Sequence, residues 1–258
     1  MRIVAVIQAR MGSSRFPGKV LLDLHGKPLL YRISEQVRAS VHRPEIVLTA
    51  SLDPRDEALQ DFARAQGWAC YRGAADDIVG RLHGAAAALE RADAIVRIWG
   101  DCPFVCPDVI DAMLEVFVAD GLDYCTNAQP SNRTYPPGLD VEIYRYDWLA
   151  RLAGAENDPF LREFPMEYVM ANPNRVRSRV FHSQEDHSHI QLTVDYPEDL
   201  AAANELYEVL YQPGQAFTFA RLLGALRAQP RLLQRFSKAA RNEEYLRKRQ
   251  QQAGTQGR

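Results

Sequence analysis

Residues 2–19 read RIVAVIQARMGSSRFPGK, an apolar run that empties into a loop of glycine, serine and cations. Ile3, Val4, Ala5, Val6 and Ile7 are mostly β-branched, and Met11-Gly12-Ser13-Ser14 breaks the run, which predicts a buried central strand rather than a helix. In open α/β sheets ligands bind at the carboxyl ends of strands, where departing loops converge in a crevice. This loop carries Arg10, Arg15 and Lys19, small residues at Gly12, Ser13, Ser14 and Gly18, and a stiffening Pro17. Small residues let backbone N–H groups approach an oxyanion, and the cations match polyphosphate charge.

Two familiar phosphate loops do not fit. A mononucleotide P-loop has four residues between its glycines and then Lys-Ser/Thr, whereas five separate Gly12 from Gly18 and Val20 follows Lys19. The dinucleotide pattern G-x-G-x-x-G is absent, so the loop gives no support for NAD or FAD. By composition alone, a basic surface loop after a strand is an equal reading.

The longer run I-Q-A-R-M-G-S-S-R-F-P-G-K-V-L resembles the opening signature of the spore coat polysaccharide biosynthesis protein F family. That family is similar to the cytidylyltransferases that make CMP-sialic acid and CMP-KDO (3-deoxy-manno-octulosonate). Further pieces recur at Gly100 to Pro103, Arg133 to Glu142 and Ser188 to Leu200, so the resemblance covers residues 1–210. It implies an α/β nucleotide-diphosphosugar transferase (glycosyltransferase-A-like) fold, with a mostly parallel sheet flanked by helices and a small middle lobe over about 127–172.

With 47% hydrophobic and 25% charged residues, the 258-residue chain has enough apolar material for one large core. A net charge of -2 argues against a nucleic-acid partner, which selects a basic excess. No apolar run reaches the roughly 18 residues of a membrane span, and the N-terminus reads as a strand, not a signal peptide; a cytoplasmic protein is expected. Cys70, Cys102, Cys106 and Cys125 lack C-x-x-C spacing and read as buried thiols.

Along the chain, Leu29, Leu30, Ile33 and Val37 put one apolar stripe on a helix. Strands are expected at 45–50, 68–71 and 94–99, with helices at 54–66 and 76–91 between them. That alternation predicts a mostly parallel sheet. A helix follows Pro107, a strand 122–126, a long loop 127–138, a strand 139–144, helices near 147 and over 160–171, and a strand 175–181. Ile190–Val194 reads as another strand, Pro197 opens a helix to about 210, and more helix is expected at 218–227. A single nucleotidyltransferase domain over 1–237 and a charged, frayed tail over 238–258 complete the expectation.

The chemistry implied is CMP transfer from CTP to a sugar acid or related polyol. Lys19, Arg10 and Arg15 are expected to meet phosphate charge, and Gln8, Ala9, Gly12 and Ser13 to meet base and phosphate. The resemblance puts Arg72, Asp77 and Arg81 near the nucleoside. It matches Asp101, in G-D-x-P, and Asp195, in V-D-x-P-E-D-L, to family metal positions, and such carboxylates suit Mg²⁺ or Mn²⁺. Read alone, an aspartate before a helix is more readily an N-cap. Arg133, Thr134, Tyr135, Gly138, Asp140 and Glu142 resemble the family's acceptor segment, with Asp140 orienting the attacking hydroxyl or approaching the metal; the plainer reading has Asp140 and Glu142 facing water. His189 is expected to touch substrate or pack beneath Asp195. His182, His187 and His189 do not have convincing zinc spacing. Phe164 follows Arg162-Glu163 where the family usually has histidine, which puts the usual acceptor in doubt. The middle lobe resembles a dimerisation arm and implies a homodimer. Alternatives are a sugar 1-phosphate or phosphonate acceptor, a glycosyltransferase using Asp140-Val141-Glu142 as an approximate D-x-D, and a non-catalytic nucleotide-binding regulator.

Overall fold

The computed structural model describes residues 1–89, 92–237 and 243–256. The apolar opening forms β1 (Ile3–Gln8). Its Ile3, Ala5 and Ile7 enter one hydrophobic core, and Val4 and Val6 enter another on the opposite face. Burial on both faces explains why the run shows no polar alternation. The loop closes in a 3-10 turn, Lys19–Leu21, and the hairpin β2 (Asp23–Leu24) and β3 (Lys27–Pro28) leads into α1 (Leu29–Arg38). Next come β4 (Glu45–Ser51), α2 (Glu57–Ala65), β5 (Ala69–Gly73), α3 (Ile78–Ala87) and β6 (Ala94–Trp99), the expected alternation. The second half holds α4 (Pro107–Ala119), β7 (Tyr124–Thr126), β8 (Val141–Arg145), α5 (Tyr146–Ala155), α6 (Pro159–Glu163), α7 (Pro165–Ala171) and β9 (Ser178–Val180). α8 (Pro197–Leu210), α9 (Phe219–Ala228), α10 (Pro230–Phe236) and α11 (Glu243–Gln256) follow.

The seven-stranded sheet has the order β5-β4-β1-β6-β8-β7-β9, and only the pairs that β8 makes with β6 and β7 are antiparallel. From β1 the chain winds outward through β4 to β5, then returns to set β6 on the other side of β1. The carboxyl ends of β1 and β6 therefore flank the point where winding reverses, the usual ligand crevice of such sheets. Gly100 makes their approach possible: its N–H donates to Gln8 O at 2.7 Å, and a Cβ there would stand 2.9 Å from that oxygen.

The small middle lobe packs on the sheet, its Trp148, Leu149, Leu152 and Val169 sharing the core of Val4 and Val6. Two expectations are corrected. Ile190–Val194 joins no strand ladder, because the N–H groups of Gln191, Leu192 and Val194 go singly to Phe236, Pro137 and Asp101 carbonyls. The tail is helical over Glu243–Gln256, with Tyr245 bonded to Glu167, Lys248 paired with Glu163 at 2.5 Å and Gln252 bonded to Asp158. Residues 238–242 and 257–258 of the expected frayed segment lie outside the described residues.

Candidate active site

Lys19 sits where the loop turns back into the fold. Gly18 adopts φ 73 at the head of the turn and its N–H donates to Met11 O at 2.9 Å, which pins the two ends of the loop together. The loop is also anchored by Asp56, fully buried, whose carboxylate accepts from Met11 N at 2.6 Å, Ser51 N at 2.8 Å and Ser51 Oγ at 2.5 Å. Held this way, the Lys19 side chain is only 7% exposed and its ammonium lies between two carboxylates, 2.7 Å from Asp101 Oδ2 and 3.1 Å from Asp195 Oδ1. Arg15 Nη2 meets the same Asp195 oxygen at 2.7 Å, and Thr193 Oγ1 donates to Asp195 Oδ2 at 3.1 Å.

Local structure explains why the aspartates arrive there. Asp101 follows β6 through Gly100. Asp195 precedes α8, and Asp199 in that helix's first turn accepts the N–H groups of Asp195 and Tyr196 at 3.0 and 2.9 Å. Asp199 thus does the capping, and Asp195 is free to turn toward Lys19. Burial pushes the Lys19 ammonium down, but Asp101 and Asp195 outweigh it and leave its pKa above the ordinary value. Burial likewise pushes Asp101 up, and Lys19 more than reverses this. Asp140 goes the other way: desolvation dominates over its ion pair with Arg133, and its pKa is raised, with Asp101 adding to the rise.

Other expected residues divide into those near this centre and those used elsewhere. Ala9 is buried at the end of β1, while Gly12 and Ser13 lie along the loop, Gly12 with Arg55 against its face. Arg10 is exposed at the loop's edge. Arg72 Nε and Nη2 donate to Ser51 and Asp53 carbonyls at 3.0 and 2.9 Å and brace the neighbouring loop. Asp77 caps α3 through Gly80 N and is held from both sides by Arg162, at 2.9 and 2.8 Å. Arg81 is buried, donates to Ala75 O at 2.9 Å and has its pKa lowered to about 10, first by burial and then by Arg97 and Arg10.

On the acceptor side, Arg133 and Asp140 stay together, but the rest of the segment does not join them. Glu142 is 3% exposed and fully engaged: Tyr124 and Tyr144 hydroxyls donate to it at 2.6 Å each, and Arg97 Nη1 at 2.7 Å. It is neither an acceptor contact nor half of a metal motif. Tyr135 packs between Phe181 and Phe219 in the core. Gly138 adopts φ 104, and a Cβ there would stand 2.5 Å from the Leu192 backbone. His189 lines a separate cavity of 230 Å³ with Asp186, His187 and Arg227, away from the Lys19 cluster. Phe164 packs at a tilt against Phe160 and edge-on against Tyr245. Sequence reasoning missed Asp56 and Gln8's partner Arg97, whose Nε donates to Gln8 Oε1 at 2.9 Å.

A cytidylyltransferase family model matches residues 4–223. The spore coat polysaccharide biosynthesis protein SpsF of Bacillus subtilis is 30% identical over 80% of this chain and 86% of its own. A 3-deoxy-manno-octulosonate cytidylyltransferase of Trichlorobacter lovleyi is 39% identical, over 46% of each chain, so the match spans about half of that enzyme. Among solved structures, a cytidylyltransferase from Leptospira borgpetersenii superposes over 93% of this chain and 99% of its own, with a TM-score of 0.83 and 26% identity.

Proposed function

The chain belongs to the cytidylyltransferase family, and we propose that it transfers CMP from CTP to a sugar acid or related polyol, with release of pyrophosphate, for surface polysaccharide or glycan synthesis. The observation that carries this reading is the Lys19 ammonium held between Asp101 and Asp195 at the mouth of the β1–β6 crevice.

In this reading Lys19 and Arg15 lie where negative charge accumulates as the acceptor hydroxyl attacks the α-phosphorus. The new P–O bond forms as the bond to pyrophosphate breaks, and the hydroxyl proton passes to the Asp140 carboxylate. Burial raises the pKa of Asp140, which makes it the stronger proton acceptor, and Arg133 holds it in place. Arg10 and the loop's backbone N–H groups complete the phosphate cradle.

The donor set also suits Mg²⁺ or Mn²⁺. Asp101 and Asp195 offer hard carboxylate oxygens on either side of the Lys19 ammonium, and the described residues include no group of three or more His, Cys, Asp or Glu able to hold a metal, so these two would hold it only with ligands from the substrate. Phosphate oxygens and water would fill the remaining positions. A bound dication supplies charge neutralisation at the phosphates.

A homodimer through the middle lobe, where Met170 on α7 is itself 48% exposed, and a cytoplasmic location belong to the same reading; among the described residues no helix is long and apolar enough to cross a membrane. Sedimentation that gives only monomer at micromolar concentration contradicts the dimer. The function is tested by incubating the protein with CTP, Mg²⁺ and a panel of eight- and nine-carbon sugar acids, polyols and sugar 1-phosphates, with mass detection of CMP conjugates. A conjugate with a sugar acid or polyol supports it, and a product formed only from a sugar 1-phosphate overturns the acceptor class.

A further inference from the structure

Residues 191–195 read Q-L-T-V-D, and polar and apolar side chains alternate along them. Leu192 and Val194 enter the hydrophobic core with Ile190, while Gln191, Thr193 and Asp195 bond to one another. Their side is not a solvent face: Gln191 is 6% exposed, Asp195 is 4% exposed and Thr193 between them is half-buried. Three parts of the chain hold the backbone here. Gln191 N–H donates to Phe236 O at 2.6 Å, Leu192 N–H to Pro137 O at 2.7 Å and Val194 N–H to Asp101 O at 3.0 Å. The three polar side chains are therefore set in a row that ends on the carboxylate beside Lys19.

The carboxylate end settles the direction of every bond in the row. A carboxylate only accepts, so the Thr193 hydroxyl donates to Asp195 Oδ2, at 3.1 Å. With its proton committed there, the hydroxyl oxygen accepts, and the Gln191 atom that faces it is the amide nitrogen Nε2. The amide oxygen of Gln191 is left buried with no hydrogen-bond partner among the described residues. A buried acceptor without a partner is unfavourable, so the amide is held in this sense by its nitrogen end alone. Asp195 Oδ1, by contrast, faces Lys19 Nζ at 3.1 Å and Arg15 Nη2 at 2.7 Å. The two carboxylate oxygens have separate partners, and a hydroxyl fixed on Oδ2 sets how Oδ1 is presented.

Resting on the cytidylyltransferase reading, we propose that Thr193, oriented by Gln191, is a positioning residue for cytidylyl transfer: its hydroxyl stops the Asp195 carboxylate from rotating and keeps Oδ1 turned to the Lys19 cluster. Both residues act through Asp195 and touch neither nucleotide nor acceptor.

The test is calorimetric titration of the full-length protein with CTP, without acceptor, once in excess Mn²⁺ and once in excess chelator, with kcat and KM measured separately on the sugar acid. Thr193→Val removes the hydroxyl at nearly constant size, and Thr193→Ser keeps it. In Thr193→Val the tightening of CTP binding by Mn²⁺ should shrink by about tenfold or more, the usual effect of removing a group that orients a metal ligand. The Kd in chelator should stay at the wild-type value. Turnover should follow, with kcat lowered by a similar factor and the acceptor KM unchanged, and Thr193→Ser should restore both. Gln191→Met, of similar length, removes the donor and the partnerless oxygen together. Its melting temperature should hold or rise while the Mn²⁺ effect shrinks, a split that lost packing does not give. A wild-type Mn²⁺ effect and kcat in Thr193→Val overturn the proposal, and so does an equal loss in Thr193→Ser, which would assign the role to side-chain shape. An unchanged Mn²⁺ effect in Gln191→Met overturns the orienting role of Gln191. A wild type that binds CTP equally well with and without metal overturns the proposal and leaves the function standing, whereas one that binds CTP in neither condition overturns the function beneath it as well.

Discussion

Lys19 is the residue on which the site's electrostatics turn, because its ammonium is the near-buried partner of both Asp101 and Asp195. Lys19→Ala should lower kcat/KM by about 10² to 10³, the usual loss when one donor to a developing phosphate charge is removed. Steady-state kinetics in which only the nucleotide KM moves would reduce Lys19 to a binding residue. Two facing carboxylates taken alone suggest that neutralising one relieves repulsion, but the intervening ammonium reverses that sign. Asp101→Asn and Asp195→Asn should each destabilise the metal-free protein by about 1–3 kcal/mol, measured by urea unfolding, since each takes a partner from a buried cation. The pH dependence follows from the same shifts. Asp101 lies below its ordinary 3.8, so its share of stability is present above pH 3.8 and is lost as pH falls through the lower folded value. Lys19 lies above 10.5, so its share is present below pH 10.5 and is lost as pH rises through the higher folded value. Melting temperatures should sag at both extremes, and Lys19→Met should flatten the alkaline loss. These residues were legible because the G-D-x-P, V-D-x-P-E-D-L and glycine-loop motifs that resemble the family carry them; read alone, an aspartate before a helix points first to an N-cap. Glu142 and Tyr135 were not, because alternation says which residues share a face but not whether that face meets water.

At the scale of elements, β8 shows why alternation misled. Its edges pair with β6 and β7 and its two faces enter the two cores, through Val141 and Ile143 on one side and Tyr144 on the other, so Glu142 becomes part of a buried polar network instead of a solvent edge. The helix at Glu243–Gln256 was illegible for a different reason: it has no apolar stripe, and it is held by Tyr245, Lys248 and Gln252 against α6 and α7. α10 was missed because its seven residues offer too short a stretch for periodicity to register. The departure at Phe164 gains a packing explanation here, since its ring lies 5.5 Å from that of Tyr245 on α11. Phe164→His should therefore weaken the docking of α11 by about 1 kcal/mol, the worth of one aromatic pair, and leave the acceptor profile alone. Limited proteolysis should release the C-terminal segment faster in this variant. A shift in acceptor preference with unchanged proteolysis would return Phe164 to the substrate site.

For the whole molecule, the sheet order sets the two halves of the chemistry on one crevice: the loop after β1, Asp101 after β6, and Asp195 brought across by α8. The parallel α/β class was readable from strand and helix spacing, while the position of β8 between β6 and β7 depends on long-range pairing that periodicity does not encode. A nucleotide seated in this crevice stabilises the folded chain by mass action. CTP with Mg²⁺ at 100 times its Kd should add about 2.7 kcal/mol, read as a rise in melting temperature larger than that given by the other nucleoside triphosphates. Equal shifts for all four would mean that the base is not recognised.

The central claim is that Lys19, Asp101 and Asp195 form one reacting centre for cytidylyl transfer. Pyrophosphate release from saturating CTP and Mg²⁺, in the presence of the sugar acid that yields a conjugate, tests it most directly in wild type, Asp101→Asn, Asp195→Asn and the double variant. The expected result is acceptor-dependent release in wild type, similar loss of about 10² or more in each single variant, and a double variant scarcely worse than either, because groups that act as a unit are not additive. Near-normal release in either single variant, or undiminished release in excess chelator, would contradict the account.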